Sequence, residues 1–324
     1  MSSHTDPQSV IGSAHPKPED HLQRKSFKIT GLLIRLITRP FGNKKRWDLM
    51  RRFYEWFLPG GIADTRRGDG KWLCVPFHDV AHLLYGADYK RFNKNNFYPV
   101  VREVVKPGQI AIDIGAAPTG GGDVLELAEQ VGESGRVYSF EPDPLSCEAL
   151  ERTLLLNGVE NVSCYQVALG NDPSSEEGGA PLTEIMMEPR SGNGAISVPF
   201  TTLDRFWKEH IYPKKIDFIK IDTDGFELSI LEGAKEVMAH NPDIQVLSEY
   251  TPGISYDGLT GKKTLDAYRK MGFDLHMIQT AIKPLHEDQD TYLMENMSNP
   301  LHMICHDLVL TRRGSTSNTP DKPS

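Results

Sequence analysis

From Lys106 onward, short apolar runs alternate with segments of helical period, and this alternation constrains the fold more than any other feature of the chain. Gln109–Ile114, Arg136–Phe140, Val162–Val167, Ile216–Ile221 and Ile244–Ser248 read as strands, with a last one at Leu308–Leu310. Between them Asp123–Val131, Leu145–Leu156, Leu228–Ala239 and Thr264–Met271 read as helices. Strands separated by helices predict an α/β fold, with a mostly parallel sheet and crossover helices on both faces. A chain of 324 residues, 39% of them apolar, can bury that core and still carry an N-terminal extension.

The first strand runs into Gly115-Ala116-Ala117-Pro118-Thr119-Gly120-Gly121-Gly122 and then a helix. Glycine lets a chain turn sharply and approach a ligand closely. One βαβ unit later the second strand ends in Glu141-Pro142-Asp143, where a carboxylate can accept protons from both hydroxyls of a ribose. The plainer alternative has the glycines making only a tight turn and Glu141 capping the next helix. A dinucleotide site would use the same ribose acid, but GxGxxG is absent and no later strand carries an evident hydride-transfer set.

Over roughly Val105–Tyr250 the chain resembles the FkbM family of methyltransferases. The matching segments are Asp113-Ile114-Gly115-Ala116, Gly135-Arg136-Val137-Tyr138-Ser139-Phe140-Glu141-Pro142, Asn157-Gly158, Val167-Ala168-Leu169, Thr201-Thr202-Leu203-Asp204 and Ile219-Lys220-Ile221-Asp222-Thr223-Asp224-Gly225-Phe226-Glu227, in that order. The resemblance implies a class I methyltransferase fold (Rossmann-like), S-adenosylmethionine (SAM) as methyl donor, and O-methylation of a sugar or natural-product hydroxyl. It places Asp113 and Gly115 near the methionine portion of SAM, Glu141 near the ribose, and Val167, Ala168 and Leu169 against the adenine, with Ala116, Ala117, Gly120, Pro142 and Asp143 as further candidates of the same cofactor site. The chain departs from the family pattern at Ala117, where asparagine is expected, in a loop glycine displaced by one, and at Asp224, where the family has glutamate. Gly-Ala-Ala-Pro followed by glycines is also similar to a motif of certain RNA methyltransferases. RNA or protein methylation, and a catalytically silent SAM-binding module, therefore stand as alternatives.

Ligands of open α/β sheets bind outside the carboxyl ends of the strands, and there Ile216–Ile221 delivers Asp222 and Asp224. A hydroxyl attacks better when its proton has an acceptor, which makes Asp222 the candidate for positioning or deprotonating the methyl acceptor. Glu249 stands at the end of the next strand as a second candidate. For each acid the competing role is a cap or turn carboxylate, and Asp143 reads equally well as a helix N-cap. Glu227 belongs to a helix's first turn, where a carboxylate favours the dipole. Lys220 points away from its neighbours on the strand, which suits a structural ion pair. Asp222 with Glu249 could hold a divalent metal, a weaker reading because hard cations want several oxygens. The pairs His78/His82 and His302/His306 lack a third ligand for zinc.

The ends of the chain differ in kind. Residues 1–23 and 314–324 are polar and expected to be disordered. Residues 24–104 read as a basic amphipathic segment and an N-terminal cap, with a helix at Trp47–Phe57 and a hairpin at Ile62–Phe77 turning near Gly68-Asp69-Gly70; residues 105–313 form the catalytic domain. Arg24–Arg52 holds ten Lys or Arg and only Asp48 as an acid, so a net charge of -8 leaves the remainder near -17. Such a surface argues against extended nucleic-acid binding and for a small hydroxylated acceptor. The apolar positions of Phe27–Ile37 suit either packing on the chain's own domain or contact with an anionic membrane surface or a partner. No run reaches the roughly 20 apolar residues of a membrane span, and the polar segment before Leu32–Ile37 is the wrong order for a signal peptide. Four scattered cysteines without a CxxC pair fit a reducing cytoplasm, with the basic segment leaving a peripheral membrane location open. Oligomeric state and the identity of the acceptor carry no signature in the sequence.

Overall fold

The computed structural model describes residues 61–76, 97–116, 120–172, 174, 182–189, 194–223, 225–251, 261–278, 282–286 and 306–313. The basic segment, the helix expected at Trp47–Phe57, both chain ends, His78, His82 and His302 lie outside the described residues, as do Ala117 and Asp224.

Five strands form the parallel part of the sheet: β3 (Ile110–Ile114), β4 (Arg136–Phe140), β5 (Val162–Tyr165), β9 (Phe218–Ile221) and β10 (Gln245–Tyr250). With β11 (Phe273–Ile278), β12 (Ile282–Pro284) and β13 (His306–Arg312) they give the order β12-β11-β13-β10-β9-β3-β4-β5. β13 runs antiparallel between β10 and β11, pairing Val246 with Leu310 on one side and Leu275 with Leu310 on the other. The order reverses between β3 and β9, which makes the ends of those two strands the switch point where a ligand crevice opens. This is the class I methyltransferase fold that the sequence implied.

Strand alternation sends the side chains to two apolar layers. Ile112, Ile114, Ile219, Ile221 and Val246 face one layer, which is covered by α4 (Leu203–His210), α5 (Glu227–Glu232), α6 (Lys235–His240) and α7 (Lys262–Lys270). Ala111, Val137, Phe218 and Leu247 face the other, beneath α1 (Phe97–Val104), α2 (Gly122–Val131) and α3 (Pro144–Asn157). The expected N-terminal hairpin is present as β1 (Ile62–Arg66) and β2 (Trp72–Pro76), in register from Ile62 with Pro76 to Arg66 with Trp72. It is fastened to α3, since Cys74 N donates to Thr153 Oγ1 (2.8 Å) and the Arg152 guanidinium pairs with Asp64 (2.6 Å). Among the described residues no helix is long and apolar enough to cross a membrane.

Two expectations need correction. The strand read at Val162–Val167 ends at Tyr165; the chain then leaves the main sheet, and β6 (Ala168–Leu169) pairs parallel with β8 (Ile196–Thr201). β8 also pairs antiparallel with β7 (Glu184–Met187), so residues 172–194, a polar excursion that interrupts the alternation of strands and helices in the sequence, contain a strand of a second, three-stranded sheet. The helix read at Leu228–Ala239 is broken into α5 and α6 at Gly233, whose missing Cβ would lie 2.2 Å from the Gly170 carbonyl oxygen. α1, α4, β11 and β12 carried no signal in the sequence reading.

Candidate active site

The site is assembled at the carboxyl ends of β3, β4 and β9, where backbone bonds extend the ladder one residue past each strand. Gly115 N donates to Phe140 O (3.0 Å), Glu141 N to Tyr165 O (3.0 Å) and Asp222 N to Ile114 O (3.0 Å). Gly115 turns the chain with φ +81°, and a Cβ there would lie 1.8 Å from the Asp222 carbonyl oxygen. The turn after β3 and the turn after β9 therefore touch through backbone. Only glycine permits that approach.

Glu141 is buried, and its Oε1 accepts from Asp143 N (2.9 Å). Asp143 Oδ1 in turn accepts from Ser146 N (2.9 Å), so it is the N-cap of α3. Both acids, with Pro142, line a cavity of about 790 Å³. Ile114, Gly115 and Asp222 form its sheet-end wall, and Phe140, Val167, Ala168 and Leu169 an apolar flank. Ile185, Met186 and Met187 of β7 wall another side, and Phe226, Ser229 and Ile230 approach from α5. Asp222 is the catalytic candidate that reaches this cavity; its side chain is 32% exposed.

Beneath the floor, on the α2 side of the sheet, lies a row of polar groups across three strands. Asp113 is in register with Ser139 of β4 and with Lys220 of β9. Ser139 Oγ donates to Asp113 Oδ2 (2.8 Å), and Lys220 Nζ lies 3.2 Å from Asp113 Oδ1, 3.6 Å from Asp123 Oδ2 and 3.6 Å from Asp222 Oδ2. The same ammonium donates to the Gly115 carbonyl (3.1 Å). Burial opposes the charge on Lys220, but Asp113, Asp222 and Asp123 outweigh it and hold the ammonium well above the ordinary lysine range. Burial pushes Asp123 up to about 6, with Asp113 and Asp222 adding to the rise and Lys220 opposing it.

Several expected site residues stand elsewhere. Asp113 is fully buried under the floor and does not line the cavity; it holds Ser139 and Lys220 instead. Ala116 packs into the apolar layer beneath α2. Gly120 faces β2, where a Cβ would lie 2.7 Å from Cys74 O, and its own carbonyl accepts from Thr153 Oγ1 (2.7 Å). The glycine cluster thus serves packing at Gly120 and the close backbone approach at Gly115. Glu249 is half-buried on β10 and is not among the cavity residues. Glu227 occupies the first turn of α5, where Oε1 accepts from Thr223 N (3.0 Å) and Gly225 N (3.1 Å).

Among the described residues no group of three or more His, Cys, Asp or Glu is arranged to hold a metal ion. The contributions of Leu182, β7 and Phe200 were missed in the sequence, and only the break in strand–helix rhythm after Asp172 marked their region. A buried carboxylate at one strand end, an apolar flank at the next and a glycine turn beside them fit an adenosine-bearing ligand, in a volume typical of small-ligand sites.

A family model described as the methyltransferase FkbM domain matches residues 113–288. No curated protein matches. Among solved structures the chain is similar to a SAM-dependent methyltransferase from Aquifex aeolicus, at 14% identity and TM-score 0.38, covering 66% of this chain and 88% of that one. It is similar to a methyltransferase FkbM from Methylobacillus flagellatus KT at 15% identity and TM-score 0.40, over 66% of this chain and 50% of that one. A third is an rRNA methylase from Streptococcus thermophilus, at 14% identity and TM-score 0.38, covering 67% and 93%.

Proposed function

The chain belongs to the FkbM methyltransferase domain family, and from that premise we propose that it transfers the methyl group of SAM to a hydroxyl of a small metabolite, sugar or natural product. The observation that carries this reading is the arrival of the Asp222 carboxylate in the cavity that also holds Glu141 and the Gly115 turn.

SAM, when bound, supplies an electrophilic methyl group. Glu141 accepts from the ribose hydroxyls, and Phe140, Val167, Ala168 and Leu169 take the adenine. The Gly115 turn borders the methionine portion. Asp222 would orient the acceptor hydroxyl and take the proton it loses as the new oxygen–carbon bond forms and the methyl carbon–sulfur bond of the donor breaks, its electron pair leaving with the demethylated thioether. Asp113 acts from under the floor, keeping Ser139 and Lys220 in place. Among the described residues the cavity is lined by Glu141, Asp143, Glu188, Asp222 and Glu232 and by no Lys, Arg or His. That charge supports a neutral acceptor over a phosphate-bearing one such as RNA.

The test is transfer from methyl-labelled SAM into a cell extract fractionated into metabolites, nucleic acid and protein. The expected product is a labelled methyl ether, with Asp222→Asn retaining SAM binding and losing at least about 100-fold in turnover. An Asn variant of undiminished rate, or label confined to nucleic acid or protein, contradicts the reading.

A further inference from the structure

Lys220 is nearly inaccessible, yet its ammonium meets both turns that form the sheet-end wall of the cavity. It donates to the Gly115 carbonyl after β3 and pairs with the Asp222 carboxylate after β9, at 3.1 and 3.6 Å. Among the described residues the other charged groups around Asp222 are acids. Asp113 comes from β3 and Asp123 from α2. Glu227 of α5 is committed to Thr223 and Gly225, and Glu249 follows Ser248, the register partner of Ile221, on β10. Asp224 lies outside the described residues. Lys220 is therefore the single cation within 4 Å of Asp113, Asp123 and Asp222 among the described residues, and the burial of Asp113 and Asp123 leaves little water to screen their charge.

We propose that Lys220 is a positioning residue for methyl transfer: its ammonium ties the Gly115 and Asp222 turns together and offsets the repulsion of Asp113 and Asp123, so that the Asp222 side chain is held at the cavity wall and aimed into it. The inference rests on the reading of Asp222 as the proton acceptor. It differs from an ordinary structural ion pair because the carboxylate it governs is the one facing the substrate. Burial is the main reason Asp123 holds its proton up to about 6, and the neighbouring Asp113 and Asp222 add to the rise.

The experiment uses the full chain and reads SAM affinity by calorimetry beside the rate of methyl transfer. Lys220→Met is expected to bind SAM within about threefold of wild type and to lose at least about tenfold in turnover. That variant leaves the buried Asp113 and Asp123 without their cation and is at risk of misfolding; in that event Lys220→Met/Asp123→Asn, with one buried carboxylate fewer, is read in its place. Undiminished turnover in the folded variant, or a loss carried entirely by SAM affinity, overturns the role of Lys220 while leaving Asp222 in place. A fully active Asp222→Asn overturns the underlying assignment instead.

Discussion

At Gly115 a methyl group has nowhere to go, because the Asp222 carbonyl occupies the position a Cβ would take. Gly115→Ala is expected to lower the unfolding free energy by at least about 2 kcal/mol, since strain at positive φ adds to a backbone clash. Chemical denaturation reads this directly, and wild-type stability in the variant would mean that the two turns do not touch. Asp123 carries a prediction of opposite sign. Its folded carboxyl titrates near 6 and its ordinary value is 3.8, chiefly because burial disfavours the charge. Between those values the native state keeps a proton that the unfolded chain has released, so its contribution to stability is full below about pH 4 and is lost as pH rises through 6. Asp123→Asn is therefore expected to be more stable than wild type at pH 7.5, by on the order of 2 kcal/mol, and equal to it near pH 4. No difference at the higher pH would show that Asp123 is not held in a costly charged state. At this scale the sequence was legible where a residue's position is set by its own strand end, as at Glu141 and Asp222, which both line the cavity. It was not legible at Gly120, whose neighbour Cys74 comes from a hairpin over forty residues away.

Among the elements, the least anticipated is the small sheet of β6, β8 and β7 that walls the cavity. It is held by a clasp at Asp172, which is buried on the edge of the excursion. Asp172 Oδ2 accepts from Leu182 N (2.9 Å) and from Arg205 Nη2 (3.1 Å), while Arg205 Nη1 donates to Leu182 O (3.0 Å). Burial opposes ionisation of Asp172, but Ser174, Leu182 and Arg205 together hold its carboxyl below the usual range. Arg205→Ala removes the side chain that joins α4 to both ends of the clasp. Amide exchange over Leu182–Met187 is then expected to accelerate at least about tenfold, with β3 and β9 unaffected; equal protection in the variant would mean that β7 is held some other way. Such an arrangement is hard to read from a sequence, because Glu184–Met187 is a four-residue strand in a polar stretch, and its partner strand begins only at Ile196. The break between α5 and α6 escaped for a related reason. Leu228–Ala239 has an uninterrupted helical pattern, and only the approach of Gly170 from β6 explains why it stops at Gly233.

Taken whole, the molecule places its chemistry where the strand order of a parallel sheet reverses, and the alternation of apolar strands and helices carried that information from the start. What the alternation could not carry is the depth at which each motif residue sits. Asp113 and Lys220 belong to the same motif series as Glu141 and Asp222, yet they lie beneath the cavity floor and act on it through Ser139 and the Gly115 carbonyl. The Glu141 carboxylate holding SAM in this cavity has a direct readout, calorimetry of SAM with the wild-type chain and with Glu141→Ala side by side. One SAM per chain is expected for the wild type, and an affinity at least about tenfold weaker for the folded variant, as when a charged hydrogen-bond acceptor is removed. Equal affinity in the two proteins, or no binding of SAM or its demethylated product to either, rules this binding mode out.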